Sequence, residues 1–175
     1  MKKLFFAIIA LAALLTACES SPKTYEWGDL SFTYPAAYEV ETIKEDDDMI
    51  RLCISKDDDN FMLAELREYD MEDIESLSRD EIQEAIESDA MSLYMLDEED
   101  ENMTIDGNPE VVTSPEGSAP GVLFMYSGTH YEDVIKARIS VTVIRNYEVI
   151  LRYEGTEDKA MSEMLDIATS FDVTE

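Results

Sequence analysis

The chain has 175 residues, 41 of them Asp or Glu against 13 Lys or Arg, for a net charge of −28. A field of that sign repels nucleic acid and bare anionic surfaces, so nucleic-acid partners are excluded. Apolar residues still make up 45% of the chain, enough for a folded core rather than an acidic disordered tail.

Lys2 and Lys3 precede an unbroken apolar run, Leu4 to Leu15. The run is too short to cross a ~30 Å hydrocarbon core as a helix and has the proportions of a signal-peptide core. It ends in Leu15-Thr16-Ala17-Cys18, which resembles the bacterial lipobox. The resemblance implies cleavage before Cys18, a diacylglyceryl group on its thiol, and acylation of the new N-terminus by palmitate or a similar chain. Residues 1–17 then read as a lipoprotein signal peptide, 18–24 as a short tether, and 25–175 as a single domain. The expected location is the bacterial cell envelope, with the membrane as partner through the lipid anchor. Glu19 follows the cysteine instead of the Asp that resembles an inner-membrane retention signal, so the outer membrane is favoured. With Cys18 acylated, Cys53 is the remaining thiol and no internal disulfide forms, so stability must come from the core. Cys53, in MIRLCIS, reads as a small packed side chain; its nearest candidate activator is Arg51.

In chain order, TYEW (24–27) and LSFTY (30–34) flank a Gly28-Asp29 hairpin turn, and Pro35 ends the second run. YEVETI (38–43) follows. MIRLCIS (49–55) and FMLAELRE (61–68) form a second predicted hairpin across 56–60. Ser78-Arg79-Asp80-Glu81 is a capping-box pattern, and Ile82, Ala85, Ile86, Ala90 and Leu93 repeat on one helical face after it. Residues 97–121 read as loop, disordered over Asp97 to Asn102, with a short strand near Glu110 to Thr113. GVLFMYSG (121–128), VIKARISVTVI (134–144) and YEVILRY (147–153) are predicted strands. A final helix carries Ala160, Met161, Met164, Leu165 and Ala168 on one face and ends at Phe171. Hairpin-linked strands with amphipathic helices predict an α+β fold, an antiparallel sheet flanked by two main helices.

The segment GDLSFTYPAAYEV, the middle TIDGNPEVV, the closing hairpin and the terminal SFDV together resemble the PsbP-like proteins, a superfamily that takes in DcrB-type bacterial lipoproteins. The resemblance implies an antiparallel sheet between helices and an accessory or binding role. It implies no catalytic residues, no metal ligands and no cofactor.

The residues themselves offer little catalytic machinery. His130 is the single histidine and reads as a surface residue beside a turn. Catalysis by a nucleophile needs converging groups, and a zinc site several His or Cys. Two acidic runs, Glu45 to Asp48 and Asp57 to Asn60, could suggest a Ca²⁺-dependent adhesive domain. They lie at opposite ends of one strand, roughly 20 Å apart at ~3.3 Å per residue, and read as solvated turns. A carboxylate-pair hydrolase is the weaker alternative. Tyr25, Trp27, Tyr34 and Tyr38 read as packed, with a sugar-binding ledge as the alternative.

The scarce cations are more informative. Pairing Leu52 with Leu66 sets Arg51 directly opposite Arg67, and Lys136, Arg138 and Arg152 share the non-core parity of the closing strands. Like charges so placed are destabilising unless carboxylates or a bound anion intervene. Either helix carboxylates such as Glu84 or Glu87 cover these cations, or Arg51, Arg67, Lys136, Arg138 and Arg152 form an electropositive groove. Such a groove would take an acidic peptide, a glycan carboxylate or an envelope protein.

Overall fold

The computed structural model describes residues 21–174; the signal-peptide and Cys18 expectations lie outside the described residues. The first strands are β1 (Lys23–Trp27), β2 (Leu30–Tyr34), β3 (Glu39–Glu45), β4 (Met49–Asp57) and β5 (Asn60–Glu68). A short helix α1 (Met71–Glu75) and the long α2 (Arg79–Glu98) follow, then β6 (Met103–Ile105) and β7 (Glu110–Thr113). The closing run is β8 (Gly121–His130), β9 (Asp133–Ile144), β10 (Tyr147–Gly155), α3 (Asp158–Ala168) and β11 (Asp172–Val173). The fold is mixed and mostly strand, with three helices among the described residues.

The strands form two antiparallel sheets rather than the one expected. A small sheet runs β1-β2-β11, and an eight-stranded sheet runs β3-β4-β5-β10-β9-β8-β6, with β7 also on the outer edge of β8. Lys23 already pairs with Tyr34, so β1 takes up two residues that read as tether.

Period-two alternation puts two different cores on the two faces of the large sheet. On the front face, Ile50, Leu52, Ile54, Met62, Ala64, Leu66, Val149 and Leu151 are buried beneath the small sheet and Met161, Met164 and Ile167 of α3. On the back face, Ile135, Ala137, Ile139, Val141 and Val143 of β9, with Val122, Phe124 and Tyr126 of β8, are buried beneath Ile86, Ala90 and Tyr94 of α2. The α2 start is the predicted capping box: Ser78 Oγ accepts from the Glu81 amide, and the Glu81 carboxylate accepts from the Ser78 amide. The two coverings are offset. The front face of β8 and β9 and the back face of β4 and β5 are therefore only partly buried.

Gly128 is where β6 approaches β8 most closely. A Cβ there would stand 2.3 Å from the Thr104 carbonyl oxygen, a backbone atom that cannot swing aside. Gly128→Ala is expected to destabilise the fold by about 1–3 kcal/mol, as overpacking does. Urea unfolding and loss of amide-exchange protection over Met103–Ile105 check this.

Candidate functional site

The hairpin β4–β5 pairs in a register two residues from the expected one. Leu52 faces Ala64, Ile54 faces Met62, and Arg51 faces Glu65 rather than Arg67. A shift of two keeps every residue on its own face and exchanges partners along the strand. Arg51 and Arg67 thus flank a shared carboxylate. Glu65 accepts from Arg51 Nε and, at 2.6 Å, from Arg67 Nε. Arg67 also reaches Glu148 at 2.9 Å and Asp89 of α2 at 3.6 Å, and Tyr69 Oη donates to Glu148 at 3.0 Å. The covering helix carboxylate is Asp89, not Glu84 or Glu87. Burial alone would raise the Glu65 carboxyl, but the two guanidiniums outweigh it and hold the group below its ordinary range. Glu148 lies on the central strand, and there burial dominates and pushes its carboxyl up.

Arg152 pairs across from Ile139, which puts it on the back face, opposite to Lys136 and Arg138. The five cations predicted to form one groove are split, Arg51, Arg67 and Arg152 behind the sheet and Lys136 and Arg138 in front. Arg152 donates to Asp97, which also accepts from the Tyr126 hydroxyl. Asp97 is 1% exposed. The stretch expected to be disordered therefore begins inside α2 with a buried carboxylate pinning the helix to β8 and β10. Burial pulls the Arg152 guanidinium down and pushes the Tyr126 phenol up.

His130 is not a free surface residue. Its side chain is 20% exposed, with Nδ1 2.7 Å from Glu154 Oε1 and Nε2 3.9 Å from Asp100 Oδ2. The adjoining cavity, lined by Asp97, Tyr126, Arg152 and Glu154, has a volume of about 100 Å³. At ~30 Å³ per water it has room for a few solvent molecules and none for a glycan or peptide. Asp97, Tyr126 and Arg152 bind one another there and His130 Nδ1 meets Glu154, the arrangement of a structural pin, while His130 Nε2 is buried without a hydrogen-bond partner.

On the front face, Lys136 is paired with Asp158 at the start of α3. Arg138 lies across from Tyr153, and beside them a groove of about 360 Å³ runs between α3 and β8–β9. Elsewhere the aromatic segment packs: Tyr38 is fully buried, and Tyr25 stacks on Phe32 at 5.3 Å. Asp57 caps its own turn, accepting from the Asp59 amide at 3.2 Å and from Asn60 Nδ2 at 2.6 Å. Burial pushes the Cys53 thiol up, with Glu41 adding to it, the environment of an unreactive thiol.

Two residues that organise these sites escaped the sequence reading. Asp97 extends the buried helical face Ile86, Ala90, Tyr94, so an acid at the next apolar position was a readable signal. Tyr153 carried none, since it alternates correctly as a core residue.

Two outcomes follow from the ion pairs. Asp97→Ala leaves Arg152 and Tyr126 unpaired at a buried site and is expected to cost about 3–5 kcal/mol. Arg51→Ala, at a half-exposed pair, is expected to cost under about 1 kcal/mol. Both are read by chemical denaturation. The depressed Glu65 carboxyl contributes stability above the ordinary glutamate range that disappears as pH falls through its folded-state value. The difference in Tm between wild type and Glu65→Gln should thus be largest near neutrality and shrink on acidification; a difference that grew would reverse the assignment.

No family model matches the chain, and no curated protein does. Among solved structures, the solution structure of cyanobacterial PsbP (CyanoP) from Synechocystis sp. PCC 6803 superposes with a TM-score of 0.58 at 14% identity, covering 89% of this chain and 94% of that one. A crystal structure from Bacteroides thetaiotaomicron VPI-5482 gives a TM-score of 0.49 at 7% identity, covering 87% of this chain and 48% of that one. The chain has a PsbP-like fold, with antiparallel sheets and few helices.

Proposed function

We propose that this is a lipid-anchored protein of the bacterial cell envelope whose domain is a non-enzymatic binding or accessory module. The observation that carries the reading is the Leu15-Thr16-Ala17-Cys18 motif after a signal-like run, a few residues before a folded domain. Strand β1 begins at Lys23, so the segment from Cys18 to the domain spans at most roughly 18 Å at ~3.3–3.6 Å per residue. A domain on so short a leash faces partners at the membrane surface. Glu19 after the cysteine favours the outer membrane. The binding role is supported by the half-covered sheet faces, which leave shallow grooves beside α2 and α3. Against catalysis weighs the mutual engagement of the buried acids and bases around Asp97 and His130.

Growth with a clickable palmitate analogue tests the anchor. The wild-type protein is expected to carry label and to band with outer-membrane density; Cys18→Ser is expected to carry none and to keep its leader. Equal labelling of the variant would overturn the reading.

A further inference from the structure

Tyr153 is 1% exposed, and its hydroxyl is buried without a hydrogen-bond partner. Buried hydroxyls are ordinarily paired, so an orphan requires a reason. Its charged neighbour is Arg138, directly across the β9–β10 pair and near enough to offset part of what burial does to the phenol, but the phenol O–H has no acceptor. A guanidinium has donors and no acceptor, so Arg138 cannot take the phenol proton. The O–H and the guanidinium are two donors side by side.

Arg138 also differs from the other four cations expected to form a groove. Arg51, Arg67, Lys136 and Arg152 each hold a carboxylate. Arg138 has none within 4.0 Å among the described residues, in a chain with 41 acids. It lies next to Ser140 on the front face of β9, at the end of the groove beside α3. That groove has an apolar bed from Leu123 and Leu165, and Ser140, on the same face as Leu123, lines it with no hydrogen-bond partner for its hydroxyl among the described residues. Its volume of about 360 Å³ is within the range of small-ligand sites.

We propose that this groove binds a carboxylate-bearing sugar, a uronic acid or short uronate oligosaccharide. The carboxylate accepts from Arg138 and from the Tyr153 hydroxyl. The ring lies on Leu123 and Leu165, and one of its hydroxyls meets Ser140. Tyr153 is the fixed member of the pair, and Arg138, only partly buried, is the one that adjusts. The overall negative charge does not prevent this, because at physiological salt the field is screened over about 8 Å and the local sign at the groove end is set by Arg138.

This inference deepens the binding-module reading and rests on it, but it is tested independently of the lipid anchor. The full chain in detergent is titrated with digalacturonate and with neutral galactobiose, followed by calorimetry and amide chemical shifts. Digalacturonate is expected to bind at least about tenfold more tightly than galactobiose. Shifts should concentrate at Leu123, Ser140 and Leu165. Arg138→Gln should lose at least about tenfold in affinity, and Arg138→Lys should recover part of it. Tyr153→Phe should weaken binding several-fold with Tm unchanged or raised, because it removes an unpaired buried hydroxyl. The proposal is overturned if digalacturonate shows no saturable binding at millimolar concentration, if the two sugars bind equally, or if Arg138→Gln binds like wild type. In each of those cases Cys18 labelling would still decide the anchor by itself.

Discussion

The architecture follows from a mismatch of widths. Strands lie ~4.8 Å apart, so an eight-stranded sheet is about three times wider than an α-helix of ~10 Å diameter. No single helix can cover a face of it. The chain places α2 over β8 and β9 behind, and α3 with the small sheet over β4, β5 and β10 in front. Among the described strands only β10, in the middle, is buried on both faces along most of its length. The grooves beside α2 and α3 lie where one of these coverings stops short of the sheet.

The same mismatch explains where charge is buried. Glu148 and Arg152 lie on the back face of β10, at the border between the part that α2 covers and the part it does not. Side chains there are too enclosed to be solvated and too near the rim to be replaced by core. They are satisfied by neighbours, Glu148 by Arg67 and Tyr69, Arg152 by Asp97. In so acidic a chain, two of its few arginines, Arg67 and Arg152, hold carboxylates at that border. Breaking such a pair is costly even where forming it adds little, so the network fixes how α2 sits without being a source of net stability.

Local patterns were legible in the sequence because they are periodic. The inward sets of β4, β5 and β9 and the capping box of α2 all stand where alternation and spacing place them. Pairing register was not legible, since slips of two residues preserve the same apolar faces and differ only in which polar groups meet. That degeneracy turned an apparent Arg51–Arg67 clash into a shared Glu65. Nor could strand parity alone assign Arg152 to the same face as Ile139, because parity relates residues within a strand and not between strands. His130 looked like a lone turn residue because its partner Glu154 is 24 positions away. The Tyr153 hydroxyl was invisible for a related reason: the sequence reports that a side chain is inside, not what its polar end meets there.

The first hairpin has a mechanical consequence. Its closed end is the turn at Gly28, and its open end is the Lys23–Tyr34 pair, next to the side from which the chain enters. A pull along the entering chain loads that end first and opens the β1–β2 bonds in succession rather than together. Among the described residues β1 has no other strand partner, whereas β2 is also held by β11. The five residues of β1 would peel away before the large sheet felt the load, releasing roughly 17 Å of extended chain at ~3.3 Å per residue. Under such a pull the edge strand would act as a fuse, yielding first while the wide sheet and its buried charges stay assembled.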